Sequence, residues 1–210
     1  MNSRPSPLLI GNATALDFLN TVVSLPGMTI DFLETGASLL SWMTEARVID
    51  AGRAEEIRRA CSDQELDKAA AEAQALREWF RGFVMARKGR KVMGYDLAAL
   101  QPLNDVLRMD DSFTRLIPGT RTPGYPYQLE MVRRNSAHAG LLITLAETLA
   151  RFVCADAMER TKSCEGSGCT LVFEDRTLTR TRRWCSMSLC GPAAHADHQP
   201  EPRALRSSAW

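Results

Sequence analysis

Almost no net charge survives when this 210-residue chain is summed: 26 Lys and Arg stand against 25 Asp and Glu, leaving +1. That balance excludes a global attraction to nucleic acid or to an anionic membrane, so any basic surface must be local. Long apolar runs are also missing from the N-terminal stretch MNSRPSPLLIGNATALDFLNT, whose longest is Leu8–Ile10. A secretory signal needs a longer apolar core, and a spanning helix needs about 18 apolar residues. The expectation is therefore a cytoplasmic protein with no membrane contact. No Gly-x-Gly-x-x-Gly, P-loop or Gly-x-Ser-x-Gly occurs, and neither Glu55–Glu56 nor Asp110–Asp111 forms a defensible acid–base pair. Catalysis is not expected. Internal repeats and low-complexity tracts are absent too.

What is present suits an ordinary globular chain. Hydrophobic residues make up 45% and charged residues 24%, enough to bury a real core and a small appendage. Leu16, Leu19 and Asn20 sit at helical spacing after a cap at Thr14. Helices are predicted over about 35–46, 55–61, 64–87 and 96–108. Leu66, Ala69, Ala73, Leu76 and Phe80 form the inner stripe of the third, and Glu55 pairs with Arg59 on the second. Ser112–Pro118 and Tyr125–Arg134 read as a β-hairpin around GTRTPG. From Ser136 to about Ala157 comes the clearest helix, with Leu141, Leu142, Leu145, Leu149, Phe152 and Val153 on one face. It leads directly into Lys162 and Cys164, so the two parts should dock.

Four of the six cysteines form Cys164-x4-Cys169-x15-Cys185-x4-Cys190. Two close pairs are what tetrahedral zinc requires, since one tight turn presents two thiolates but not four. Reduced thiols in the cytoplasm favour this reading over its alternatives, two disulfides or four unrelated buried thiols. Four thiolates leave no open coordination position, so one structural zinc ion is expected rather than a catalytic one. Gly166 and Gly168 give the loop CEGSGC its backbone freedom. The spacer TLVFEDRTLTRTRRW suggests a short hairpin with Leu171, Val172 and Phe173 in its first arm, and CSMSLC suggests a turn entering a helix. Cys61 and Cys154 read as core or half-buried residues. Trp184 reads as packing over the metal site, and His138 as lining the start of the apolar helix. His195 and His198 read as solvated tail residues.

The run CEGSGCTLVFEDRTLTRTRRWCSMSLCG resembles the CGNR-type zinc finger, a treble-clef-like module. GNATALDFLNT resembles the opening of the mainly helical ABATE domain that accompanies it. Where that finger reads Cys-Gly-Asn-Arg, this chain reads Cys190-Gly191-Pro192-Ala193, followed by a tail whose Pro200 and Pro202 oppose a helix. The resemblance implies a bacterial stress-induced transcription regulator whose finger binds DNA. Lys162, Arg176, Arg180, Arg182 and Arg183 are the candidate phosphate contacts, although some arginines also suit neutralising thiolates or capping carbonyls. A zinc-stabilised protein-interaction module, acting as a homodimer or with another partner, is the alternative.

The expected fold is mainly α with a small β-hairpin (α+β). It comprises a helical domain at 1–158, a four-cysteine finger at 159–195 and a polar tail at 196–210. A small-molecule effector of the helical domain is implied by the resemblance. Phe18, Phe32, Trp42, Trp79 and Phe83 read as filled core, and the ligand-binding residues remain unassigned.

Overall fold

Helix signals in the first half of the chain are met at their caps. In the computed structural model, which describes residues 5–25, 28–119, 126–155 and 157–192, Thr35 caps α2 (Gly36–Glu45) by accepting the Ser38 N–H at 3.2 Å. Asp50 caps α3 (Ala51–Ala60) by accepting the Arg53 N–H at 2.8 Å. Ser62 and Glu65 form a reciprocal capping box at the start of α4, Asp63–Arg87. Along α4 the stripe Leu66, Ala69, Ala73, Leu76 and Phe80 is buried and continues to Phe83 and Val84. The 18-residue α6 (Ala137–Cys154) packs against it, with the Phe80 and Phe152 rings edge to face at 6.2 Å. By length and composition α6 is apolar enough to cross a membrane. Its stripe Leu141, Leu142, Leu145 and Leu149 instead lies buried in the protein core. Phe18, Phe32, Trp42 and Phe83 are buried in that core as well, and Trp79 packs on its edge.

Two expectations need correction in this domain. The first helix, α1 (Thr14–Leu19), is short and has Ala13 rather than Thr14 at its cap position. Beyond it the chain forms a hairpin, β1 (Val22–Leu25) paired antiparallel with β2 (Met28–Asp31). Arg77 of α4, 3% exposed, holds that hairpin by gripping the Asp31 carboxylate at 2.8 and 2.9 Å and the Thr21 hydroxyl at 2.9 Å. The segment expected as one helix over 96–108 splits into a 3-10 turn, Gly94–Leu100, and α5, Gln101–Leu107. Pro102 explains the break, because a proline starts a helix readily but has no N–H to continue one. The other hairpin pairs β3 (Ser112–Pro118) with β4 (Tyr127–Arg133), from Ser112↔Arg133 to Pro118↔Tyr127.

The finger begins after a 3-10 turn, Ala157–Arg160. Here β5 (Thr161–Ser163) pairs antiparallel with β6 (Val172–Glu174). The spacer therefore does not fold back on itself as expected. Its first arm pairs with the strand upstream of Cys164, so CEGSGC lies within the loop of the hairpin. Beyond β6 the buried Asp175 organises the chain instead of a second strand: Oδ1 accepts from the Thr177 N–H at 3.0 Å and Oδ2 from the Arg182 N–H at 3.0 Å. One helical turn, α7 (Met187–Cys190), follows. Cys61 is half-buried at the end of α3, whereas Cys154 is exposed, contrary to its expected burial. His195, His198, Pro200, Pro202 and the 196–210 tail lie outside the described residues.

Candidate metal centre

Cys164 and Cys169 enter from the β5–β6 loop, and Cys185 and Cys190 from the start and end of the α7 turn. Their four sulfurs lie within 4.8 Å of one another. The Cys169–Cys185 sulfurs are 3.9 Å apart and the Cys185–Cys190 sulfurs 3.6 Å. A tetrahedron with Zn–S bonds of about 2.3 Å has edges of about 3.8 Å. A disulfide would bring its sulfurs to about 2.05 Å, so the alternative of two disulfides is excluded by distance.

The surrounding backbone is built for thiolates. Cys164 Sγ accepts the Cys185 N–H at 3.2 Å and the Gly166 N–H at 3.4 Å. Two glycines shape the loop for different reasons. A Cβ on Gly166 would stand 2.8 Å from the Cys190 Cβ and 3.0 Å from its sulfur, so that residue must be small. Gly168 has φ +71°, a left-handed conformation that favours glycine.

Hydrogen bonds and burial shift these thiols in opposite directions. The Cys185 thiol hydrogen-bonds to Cys169, and despite burial this pulls the Cys169 pKa down to about 5. The hydrogen bond with Cys169 and burial push Cys185 upward, and burial pushes Cys190 up to about 12. Four thiolates this close together would repel one another, and a bound divalent ion offsets that repulsion. The donor set and spacing fit one structural zinc ion.

The site is fastened to the helical domain along one edge of β6. Glu174 N–H donates to the Gly11 carbonyl at 2.8 Å, and Asn12 Nδ2 donates to the Glu174 carbonyl at 3.0 Å. Asn20 Nδ2 donates to the Val172 carbonyl at 2.8 Å, while Asn20 Oδ1 accepts the Val172 N–H at 3.0 Å. Asp17 Oδ1 in turn accepts the Gly11 N–H at 2.7 Å. The segment GNATALDFLNT thus serves in place of a third strand beside β5 and β6, satisfying backbone groups that burial would otherwise orphan. The partner strand, 152 residues away from Asn20, left no signal in local spacing.

The five basic candidates fall into different surroundings. Lys162 Nζ donates to Asp175 at 2.8 Å and to the carbonyl of Arg180. Arg182 donates to the carbonyls of Trp184 at 2.9 Å and Ile10 at 3.1 Å, and lies 4.1 Å from the Phe173 ring centroid. Lys162 thus binds the finger's own loop, and Arg182 ties that loop to the N-terminal segment at Ile10. Arg176, Arg180 and Arg183 are exposed, facing Glu174 at 2.7 Å, Glu159 at 3.7 Å and Glu165 at 2.5 Å respectively. Trp184 packs partly buried against the core with Arg183 5.0 Å above its ring.

A mainly helical domain carrying a docked four-cysteine zinc finger is the class these features define. The profile of the ABATE family, described as "Putative stress-induced transcription regulator", matches residues 12–156, and that of the CGNR zinc finger matches residues 160–200. The chain belongs to the ABATE family and carries a CGNR zinc finger. A search of the curated proteins gives no match.

Proposed function

We propose that this protein is a cytoplasmic, non-enzymatic transcription regulator that binds DNA through its finger. The observation that carries the reading is the exposure of Arg176, Arg180 and Arg183, at 62%, 54% and 60% of their side chains. They lie on a loop held between the cysteine cluster and the buried Asp175, so little ordering is needed before they meet phosphate. Arg183 and Arg180 face the exposed Glu165 and the half-exposed Glu159 in weak, exchangeable pairs, whereas Arg176 is anchored by the buried Glu174 and offers its remaining donors. The family description supports a regulatory role, with stress as its context. Phosphate contact is the chemistry proposed, and no residue is assigned to a base edge.

The test is fluorescence anisotropy of zinc-loaded protein with mixed genomic duplexes across salt concentrations. Micromolar or tighter binding that weakens steeply with salt, and is lost when all three arginines become glutamine, supports the reading. No affinity at low salt overturns it.

A second reading has its own observation. One face of the β3–β4 hairpin exposes Leu116 (69%), Leu129 (72%), Met131 (66%) and Tyr127 (66%). An apolar patch of this kind suits a protein contact, with a second copy or another partner. A small-molecule effector of the helical domain belongs to the regulatory reading. The buried aromatics support core packing, so they are not its assigned site.

A further inference from the structure

Four arginines converge where the two domains meet, and two of them precede the finger's cysteines. One cleft of about 480 Å³ is lined by Arg160, Glu174, Arg176 and Arg180. A second, of about 360 Å³, shares Arg160, Glu174 and Arg176 with it and reaches Arg151, Thr148 and Thr14. The two adjoin at Arg160, Glu174 and Arg176, and together their linings run from the finger onto α6 and α1.

The lining differs from an ordinary solvated face. Glu174, 1% exposed, divides its carboxylate: Arg160 donates to Oε1 at 2.9 and 2.5 Å, and Arg176 donates to Oε2 at 2.7 Å. Those bonds use two of the five donors of Arg160 and one of those of Arg176. Two guanidinium groups are thereby positioned with donors to spare. Arg180 stands 3.7 Å from Glu159, and Lys162 is paired with Asp175. Arg151 is exposed, and its guanidinium has neither an ion pair nor a hydrogen bond among the described residues. Among the residues lining the two clefts, Arg151, Arg160, Arg176 and Arg180 stand against Glu174 and Asp175, an excess of two positive charges.

We infer that the nucleic-acid contact is composite. Arg151 of α6 and Arg160 of the connecting turn join Arg176 and Arg180 of the finger in one track for a phosphate backbone. The inference rests on the DNA-binding reading above and extends it onto the helical domain. Guanidinium groups in a row suit successive phosphates, and the backbone supplies the anion that Arg151 lacks. Because Arg160 and Arg176 hang from the same carboxylate, the connecting turn and the finger present their charges in fixed register.

Arg151→Gln tests this in the full zinc-loaded chain, with Arg59→Gln on exposed α3 as the control. The probe is a mixed-sequence duplex followed by anisotropy across salt. Circular dichroism first verifies that each variant is folded, as the exposure of both side chains leads one to expect. The composite track predicts that Arg151→Gln weakens binding several-fold and lowers the slope of log affinity against log salt by about 1, while Arg59→Gln changes neither. Wild-type binding that Arg151→Gln leaves unaltered overturns the composite track but leaves finger-only binding standing. Wild-type protein that fails to bind even at low salt overturns both.

Discussion

The carboxamide of Asn20 holds both backbone groups of Val172, donating to the carbonyl at 2.8 Å and accepting the N–H at 3.0 Å. Both residues are 1% exposed, so no water stands ready to replace either bond. A side chain near the start of the chain thus completes the edge of a strand in the finger. That pairing makes the two domains one structural unit.

Asn20→Ala should leave the buried Val172 groups unpaired and cost about 3 kcal/mol. Urea unfolding followed at Trp184 and by helical circular dichroism is expected to show coincident transitions in the wild type. In the variant the Trp184 transition should come first.

Removing zinc should act locally. Leu171, Val172 and Phe173 lie in the common core, and β6 is held by Gly11, Asn12 and Asn20 independently of the metal. A chelator is therefore expected to change Trp184 fluorescence while most of the helical signal persists. A collapse of the helical signal would show that the metal supports the whole chain.

Gly166→Ala and Gly168→Ala should separate space from backbone conformation. An added methyl at Gly166 meets Cys190 at 2.8 Å and should weaken metal binding, read by competition with a chromophoric chelator. At Gly168 nothing lies within 4 Å of the new methyl, and the penalty is its positive φ, about 1 kcal/mol of stability. Zinc affinity should fall further in the first variant than in the second.

Arg182 and Arg183 are sequence neighbours with different expected costs. Arg182→Ala removes donors from carbonyls of two segments and a cation above Phe173, and should cost about 2 kcal/mol. Arg183→Ala breaks an exposed pair with Glu165 and should change the melting temperature little. Thermal denaturation of the two variants compares them directly.

Two buried carboxylates set opposite pH trends. Burial raises the Asp17 pKa from 3.8 to about 6, despite the backbone N–H groups of Gly11 and Ile10. The folded protein then binds more protons than the unfolded chain between those values, so this residue lowers stability as pH rises through that window. Burial also acts on Asp175, but Lys162 and Thr177 outweigh it and bring the pKa down to about 2. Its contribution is present above pH 3.8 and is lost as pH falls toward 2. Stability curves of Asp17→Asn should lose the decline between about pH 4 and 6, measured by urea midpoint.

The legible parts of the chain were those written in short-range spacing. The stripe of α4, the leucines of α6 and the hairpin over 112–133 follow from local periodicity, because a side chain's face depends on few neighbours. The cysteine pairs were legible for a similar reason, since four residues bring two sulfurs around one turn. Pro102 in the 96–108 segment marked a break that amphipathic spacing alone masked. The β1–β2 hairpin was hidden because Val22 and Val23 also continue the apolar pattern of α1.

From the sequence alone came the helical class of the first domain, the donor set for zinc and the local supply of arginine, because residue type and spacing carry that information. Tertiary structure decided how those charges are used: Lys162 and Arg182 turn to the chain's own carboxylate and carbonyls, while Arg176, Arg180 and Arg183 remain exposed. It also decided that β6 pairs with β5 on one edge and with Gly11, Asn12 and Asn20 on the other. Buried hydrogen bonds choose their partners by position in space, and that position exists only once the distant segments have packed.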